Sequence, residues 1–526
     1  MDESAVEDGP RGAVRVRSRR LLLAAVAACA ACGLVYELVL LTLSASLTGG
    51  GITQTSLIVA GYVAALGVGA LLAKPFLAQA ATVFVAVEIL LGITGGLSAV
   101  TLYVTFSFYG TSTSVLVAAT AILGILVGAE VPLLMTLLQS GRSGVDARGV
   151  DAQSAGKVLA NLNAADYAGA LAGGLAWPFV LLPLAGQVRG AALTGMVNLV
   201  AAAVAAAFLL RAQLSRAARH GATAALLAAA AVLGVLLVRS ADIEVTARQR
   251  LYADPVVAAE QSDYQQIVVT ERDGDVRLYL DGDLQFSSLD EHRYTETLVH
   301  PALARDPRRV LILGGGDGLA ARDVLRHPSV REVVEVELDP AVIELADTRL
   351  ADLNDGSLRD LRVHVVVGDA FRWLRERPTQ GFDAVLVDLP DPDTPVLGRL
   401  YSTEFYGLVA AVLNPGGLVV VQSGSPYSTP TAYWRTVSTV ASAGLAVTPY
   451  HVHVPSFGDW GFVLAQSGRL PPELRISPSA PELRFLDDAV LAAAAVFPRD
   501  RSPQQLAPST LDQPRIVQDM RQGYAG

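Results

Sequence analysis

The chain has 526 residues, 52% of them apolar, and a mean hydropathy of +0.42; that is long enough for two or more domains and too apolar for an ordinary soluble protein. A formal net charge of −10 argues against nucleic acid as the main partner. Cys29 and Cys32 are the only cysteines and lie in the first apolar stretch, so no disulfide framework exists beyond that pair, and this Cys-x-x-Cys reads as helix packing ahead of redox or metal chemistry.

Residues 1–20 form a basic start ending in Arg15, Arg17, Arg19 and Arg20. The apolar run from Leu21 to about Leu47 is longer than the roughly 7–15 residues of a signal-peptide core. It reads as a first membrane helix with a cytoplasmic N-terminus. Further spans are expected at 55–77, 81–107, 113–138, 160–185, 190–210 and 221–238, so residues 21–238 predict a multi-pass helical membrane domain of about seven helices. Arg142, Arg148 and Lys157 in one connection and Arg211, Arg216 and Arg219 in another put those loops inside; the uncharged loops near Gly49–Thr53 and Tyr109–Ser114 fall outside. Seven crossings from a cytoplasmic start would leave the rest of the chain outside. The stretch 221–238 is therefore expected to lie in the interface, or 160–185, with Gly173, Gly174, Pro178 and Pro183, to be a broken helix; the C-terminal domain is expected in the cytoplasm. Glu37, Glu88, Glu130 and Asp166 sit within apolar stretches. They suit either a polar path or a site for a cationic ligand between helices, or hydrogen bonding by protonated carboxyls.

From 239 the pattern changes. Gln265–Thr270 and Val276–Leu280 flank Asp273-Gly274, a hairpin signal, so residues 239–308 predict a small antiparallel β domain. Strands at 310–313, 333–337, 363–367, 384–388 and 418–422 alternate with helices, and 447–454 with 461–465 suggests a closing hairpin. Residues 309–466 thus predict an α/β Rossmann-like, methyltransferase-type doubly wound sheet. The remainder, 467–526, is rich in Pro, Ser and Asp and is expected to be a weakly ordered tail with one helix near 484–497.

The chemistry centres on Gly314-Gly315-Gly316-Asp317-Gly318 between an apolar strand and a helix, the layout of a nucleotide-binding βα unit. Asp317 disfavours a pyrophosphate and favours a cationic ligand. Glu337 ends the next strand, where an acid commonly binds ribose hydroxyls. An adenosine lacking phosphates and carrying positive charge is an S-adenosylmethionine-type sulfonium. Asp369-Ala370 follows the third strand, able to meet an adenine, to cap the following helix, or both. Asp388, at the end of the fourth strand, and Asp391, in a proline-fixed loop, form a carboxylate pair at the ligand-binding edge of the sheet.

The glycine loop together with Val336-Glu337-Leu338-Asp339, Leu280-Asp281-Gly282-Asp283-Leu284-Gln285, Asp388-Leu389-Pro390-Asp391-Pro392 and Leu413-Asn414-Pro415-Gly416-Gly417 resembles the spermidine synthase family of polyamine aminopropyltransferases, over about Tyr264 to Ala465. The resemblance implies transfer of the aminopropyl group of decarboxylated S-adenosylmethionine to putrescine or a related polyamine, with no prosthetic group and no metal. It implies that Asp388 accepts the amine proton. Asp317 and Asp391 bind the amine or the cationic aminopropyl end, and Gln285, Tyr294 and Thr295 lie on the amine side. Gln265, Glu337, Asp369, Ala370 and Pro395, with Gly314 and Gly316, hold the nucleoside. Soluble relatives generally associate, so a homo-oligomer is implied. Thr295, Leu389-Pro390, Thr394 and Phe457 depart from the family pattern, all on the amine side. Two other readings compete: a methyltransferase using intact S-adenosylmethionine, and a non-catalytic polyamine sensor or transporter in the membrane.

Overall fold

The computed structural model describes residues 10–48, 52–110, 113–140, 152–376 and 381–524. Residues 1–9, Arg142 and Arg148 lie outside them, as does most of the Gly49–Thr53 loop. The chain divides into two compact units, Met1–Ala253 and Asp254–Gly526.

The first unit is helical: α1 (Pro10–Thr48), α2 (Ile52–Leu72), α3 (Ala80–Tyr109), α4 (Thr113–Ser140), α5 (Ala152–Ala176), α6 (Leu182–Val204) and α7 (Arg216–Leu251). Among the described residues, six helical segments are long and apolar enough to cross a membrane. One of them, Leu159–Leu209, has 51 residues and is interrupted at Gly186, which is non-helical at φ 70°, ψ −176°. The expected spans 160–185 and 190–210 fall on either side of that break. The stretch 221–238 is not set apart from the others; it forms the centre of the 36-residue α7.

Two domain limits shift. Helix α7 continues to Leu251, past the end of the apolar run at 238, because residues 239–251 are polar but helix-forming, with Arg248 and Arg250 in the last turn where cations suit the helix dipole. Hydropathy marks where the apolar stretch stops, not where the helix does. The small β domain therefore starts at Asp254.

That domain is a four-stranded antiparallel sheet in the order β1 (Val256–Gln261), β2 (Gln266–Arg272), β3 (Asp275–Leu280), β4 (Asp283–Ser287). Asp273 and Gly274 both take positive φ, 54° and 84°, as do Asp281 and Gly282. These two-residue turns have the twist that hairpins favour. Helix α8 (Glu291–Val299) follows. It belongs to the main core, since Leu298 and Val299 pack with Val310 and Ile312.

The main sheet has seven strands in the order β10-β11-β9-β8-β5-β6-β7. In chain order it contains β5 (Arg309–Gly314), α9 (Leu319–Leu325), β6 (Glu332–Glu337), α10 (Pro340–Thr348), β7 (Val363–Val367), α11 (Ala370–Glu376) and β8 (Phe382–Asp388). Helices α12 (Pro395–Gly398) and α13 (Thr403–Val412), β9 (Leu413–Gln422), α14 (Pro430–Ser442), β10 (Leu445–Val454) and β11 (Gly458–Ser467) complete it. Strands β5 to β9 pair in parallel, and β11 and β10 close the edge antiparallel. Both faces are covered, so the central strands are apolar at consecutive positions. Leu311, Leu313, Val385 and Val387 face one core, and Val310, Ile312, Ala384 and Leu386 the other. The chain order reverses direction between β5 and β8, the switch point where such sheets bind ligands.

The C-terminal segment is not a weakly ordered tail. It carries α15 (Asp488–Ala494), within the expected 484–497, and α16 (Arg515–Tyr524). Ile516, Val517 and Met520 of α16 are buried in the same core as Leu311 and Val385. Asp519 pairs with Arg435 of α14. A polar segment with a few apolar residues on one helix face docks against an existing core without a strong hydropathy signal.

Candidate active site

The glycine turn takes its shape from the strand beside it. Gly314, Gly315 and Gly318 have φ of 83°, 71° and 80°. The Gly315 N–H donates to the Asp388 carbonyl at 3.1 Å, and a Cβ on Gly314 would fall on that same oxygen. A Cβ on Gly316 would lie 2.5 Å from Glu337 Cγ. Only glycine lets β5 turn this close to the ends of β6 and β8.

Four carboxylates meet there. Asp317 accepts from the Leu319 N–H at 2.9 Å, opening α9. Its pKa is pushed up to about 8 by burial and then by Asp388. Asp388 accepts from the Tyr294 hydroxyl at 2.5 Å. Burial raises its carboxyl to about 6, against the opposing effect of that hydrogen bond. Glu337 accepts from the Asp339 N–H at 2.9 Å, and burial raises it too. Glu335, two residues earlier on β6, is fully buried with no partner for either oxygen among the described residues. Burial and then Asp317, Glu337 and Asp388 hold its pKa well above the carboxylate range. The strand-end acids were legible from the sequence. Glu335 was not singled out, although its place in register with Ile312 marks it as a core position.

At the end of β6, Asp339 joins the two sheets. Its Oδ1 caps α10 through the Ala341 N–H at 3.0 Å, and its Oδ2 accepts from Gln265 Nε2 at 3.0 Å and Ser262 Oγ at 2.6 Å. Gln265 is thus held beside the end of β6. The Glu-x-Asp spacing of Glu337-Leu338-Asp339 is the sequence signal for this residue. Asp369 does cap α11, accepting from the Arg372 N–H at 2.9 Å, and its other oxygen pairs with Arg399, which the sequence reading missed. Ala370 is buried at the start of α11. Pro395 is exposed at the start of α12, where Thr394 caps with its hydroxyl.

On the opposite side, Tyr401 donates to the carbonyls of Leu389 and Pro390 at 3.0 and 3.1 Å, and Gln422 Nε2 reaches Tyr401 Oη at 2.6 Å and Asp391 Oδ1 at 3.4 Å. These contacts fix the 388–391 loop. Asp283, the first residue of β4, is raised to about 6 by burial and then by Asp393 and Asp391, so the start of β4 faces that loop. Gln285 Nε2 donates to the Asp283 carbonyl at 3.1 Å. Helix α16 closes this side: Arg521 Nε donates to the Asp393 carbonyl at 2.6 Å. A methyl on Gly424 would meet Met520 Cε at 3.4 Å and Asp391 Oδ1 at 3.6 Å. Phe457 packs edge-on against Tyr294, 5.9 Å between centroids. Thr295 is buried and its hydroxyl donates to Glu291 Oε2 at 3.2 Å, within the Glu291–Arg322 ion pair; it is committed to that network and not turned to Asp388.

Buried acids thus gather at the switch point of a mixed Rossmann-like sheet, with a small antiparallel sheet ahead of it in the chain, the edge where such sheets take their ligands. The model of the Spermine/spermidine synthase domain matches residues 291–472. The chain is 64% identical over 514 residues to the polyamine aminopropyltransferase of Mycobacterium tuberculosis, covering 97% of each, and 59% identical over 509 residues to that of Corynebacterium efficiens, covering 96% of each. A crystal structure of spermidine synthase with the transition-state analogue AdoDATO aligns with a TM-score of 0.44 at 28% identity, covering 47% of this chain and 86% of that one. The chain belongs to the polyamine aminopropyltransferase family.

Proposed function

We propose that the enzyme transfers the aminopropyl group of decarboxylated S-adenosylmethionine to putrescine, from a chain anchored in the cell membrane with its catalytic unit in the cytoplasm. The neutral amine nitrogen attacks the carbon bonded to the sulfonium. A C–N bond forms, the C–S bond breaks with its electron pair passing to sulfur, and methylthioadenosine leaves. The attacking nitrogen then gives its proton to Asp388, leaving spermidine. The observation that carries this reading is the Tyr294–Asp388 pair at the end of β8, a carboxylate near neutrality and suited to accept a proton.

Asp317 is read as the group facing the cationic aminopropyl end, and Asp391 as holding the distant ammonium, with Gln285 and Tyr294 assigned to the same amine. Glu337 is assigned to the ribose and Asp369 with Ala370 to the adenine. Gln265 is assigned to the thioether side, Gly314 and Gly316 to the close backbone approach, and Pro395 to the rim. The carboxyl group of intact S-adenosylmethionine would be repelled by these acids. The six apolar helical segments support the anchoring. Full-length protein incubated with decarboxylated or intact S-adenosylmethionine and a panel of amines tests the assignment by product mass. Aminopropylated putrescine is expected, and Asp388→Asn should abolish it while methylthioadenosine still binds. Methylated product from the intact donor would overturn the reading.

A further inference from the structure

The four acids of the apolar stretches do not share one environment. Glu37 and Asp166 are half-buried. Glu88 on α3 and Glu130 on α4 are 0% and 5% exposed. They converge on Cys29 of α1, itself 2% exposed. The Cys29 Sγ and one oxygen from each carboxylate all lie within 4.8 Å of one another.

The polar surroundings are organised and incomplete. Asn198 of α6, 0% exposed, donates through Nδ2 to the Glu88 carbonyl at 2.8 Å and to Glu88 Oε2 at 2.9 Å. That fixes the Glu88 carboxylate and leaves its Oε1 without a partner; Glu130 Oε1 and Asn198 Oδ1 are also unpartnered. Among the described residues neither carboxylate carries a salt bridge. Buried polar atoms are normally satisfied, and each exception needs a reason. The Cys29 side chain is a hydrogen-bond partner of Glu88, and protonation of the two carboxyls would meet the charge cost but would still leave Glu88 Oε1, Glu130 Oε1 and Asn198 Oδ1 unpaired among the described residues.

The donor set narrows what completes it. A protonated amine gains little from sulfur, a weak acceptor. A thiolate with two carboxylate oxygens suits a borderline divalent metal. Cys32 lies one turn along α1 on the same face, is equally buried, and has only a 3.7 Å contact from Sγ to the Thr194 carbonyl. We infer that Cys29, Glu88 and Glu130 form a divalent-metal site of the zinc class inside the helical unit, joining α1, α3 and α4. The site stands apart from the aminopropyl-transfer chemistry and holds helices that are separated in sequence.

Full-length protein, tag removed, is stripped with chelator in detergent or nanodiscs and titrated with Zn²⁺, then with Co²⁺ as an optical probe. The expected result is one metal per chain, proton release on binding, a higher thermal midpoint, and a thiolate-to-cobalt charge-transfer band. Cys29→Ser should remove the band. Glu88→Gln, which keeps an acceptor for Asn198, and Glu130→Gln should each weaken binding by at least about tenfold. Glu37→Gln and Asp166→Asn, acids outside the cluster, should leave it unchanged and so control for general damage. No binding above the Glu88→Gln/Glu130→Gln double variant, a cobalt spectrum without the sulfur band, or displacement of the metal by putrescine would each overturn the inference.

Discussion

Replacing Tyr294 by Phe removes one hydrogen bond and little else, since the ring keeps its packing against Phe457 and Phe462. Asp388 then loses the contact that stabilises its ionised form, while the burial that raises its pKa to about 6 stays. A hydrogen bond to a charged group is worth roughly 1.5–3 kcal/mol, or about 1–2 pKa units. The carboxyl should therefore move from about 6 to roughly 7–8 in the variant. The proton acceptor works only when ionised, so activity rises with pH through this pKa and is lost as pH falls through it. The acid limb of kcat/KM reports the free enzyme, and its midpoint should shift upward by the same amount. At pH 7 the variant should lose roughly two- to tenfold in rate and recover most of it above about pH 9. The amine substrate titrates identically in both proteins, so the difference between the two profiles isolates the residue. An acid limb that stays put, or a uniform loss at every pH, would refute the reasoning and remove Tyr294 from control of Asp388.

Glu337→Gln should weaken methylthioadenosine by roughly 10- to 150-fold, the loss of one charge-assisted hydrogen bond; calorimetry giving an unchanged Kd would show that the ribose is held elsewhere. Gly314→Ala sets a side chain at φ 83° and against the Asp388 carbonyl, so nucleoside binding should be lost and the unfolding midpoint of the catalytic unit lowered. Met520→Ala opens a cavity beneath α16 at a residue only 1% exposed, at a cost of about 2–5 kcal/mol. It should raise KM for the amine while leaving methylthioadenosine binding intact, and equal effects on both ligands would break the link between α16 and the amine side.

The sheet and the glycine turn were readable because buried parallel strands appear as unbroken apolar runs such as Val310–Leu313 and Ala384–Val387, bounded by residues with special backbone needs. Acids at strand ends follow from topology, so the positions of Asp317, Glu337, Asp369 and Asp388 at the sheet edge are legible. What was missed depends on contacts between distant segments. Nothing local ties Arg399 to Asp369, Ser262 to Asp339 or Tyr401 to the Leu389 carbonyl. Strand β1 is short and mostly solvent-facing, and β4 has only five residues, so their alternation is faint. Helix α16 commits three apolar residues, Ile516, Val517 and Met520, to a core that hydropathy assigns wholly to earlier segments.

Helix α16 also sets when, during synthesis, the site is whole. The glycine turn, Glu337, Asp369 and Asp388 all precede it in the chain, so a nascent polypeptide can assemble the nucleoside half first. The support beneath Asp391 and the Arg521 contact to the Asp393 carbonyl arrive only with the last helix. A chain stopped just before Arg515 would lack that support and would also leave the core around Leu311 and Val385 without Ile516, Val517 and Met520. A late stop codon would therefore disturb the core of the catalytic unit as well as the 388–391 loop, and its product should unfold at a lower temperature than the full chain.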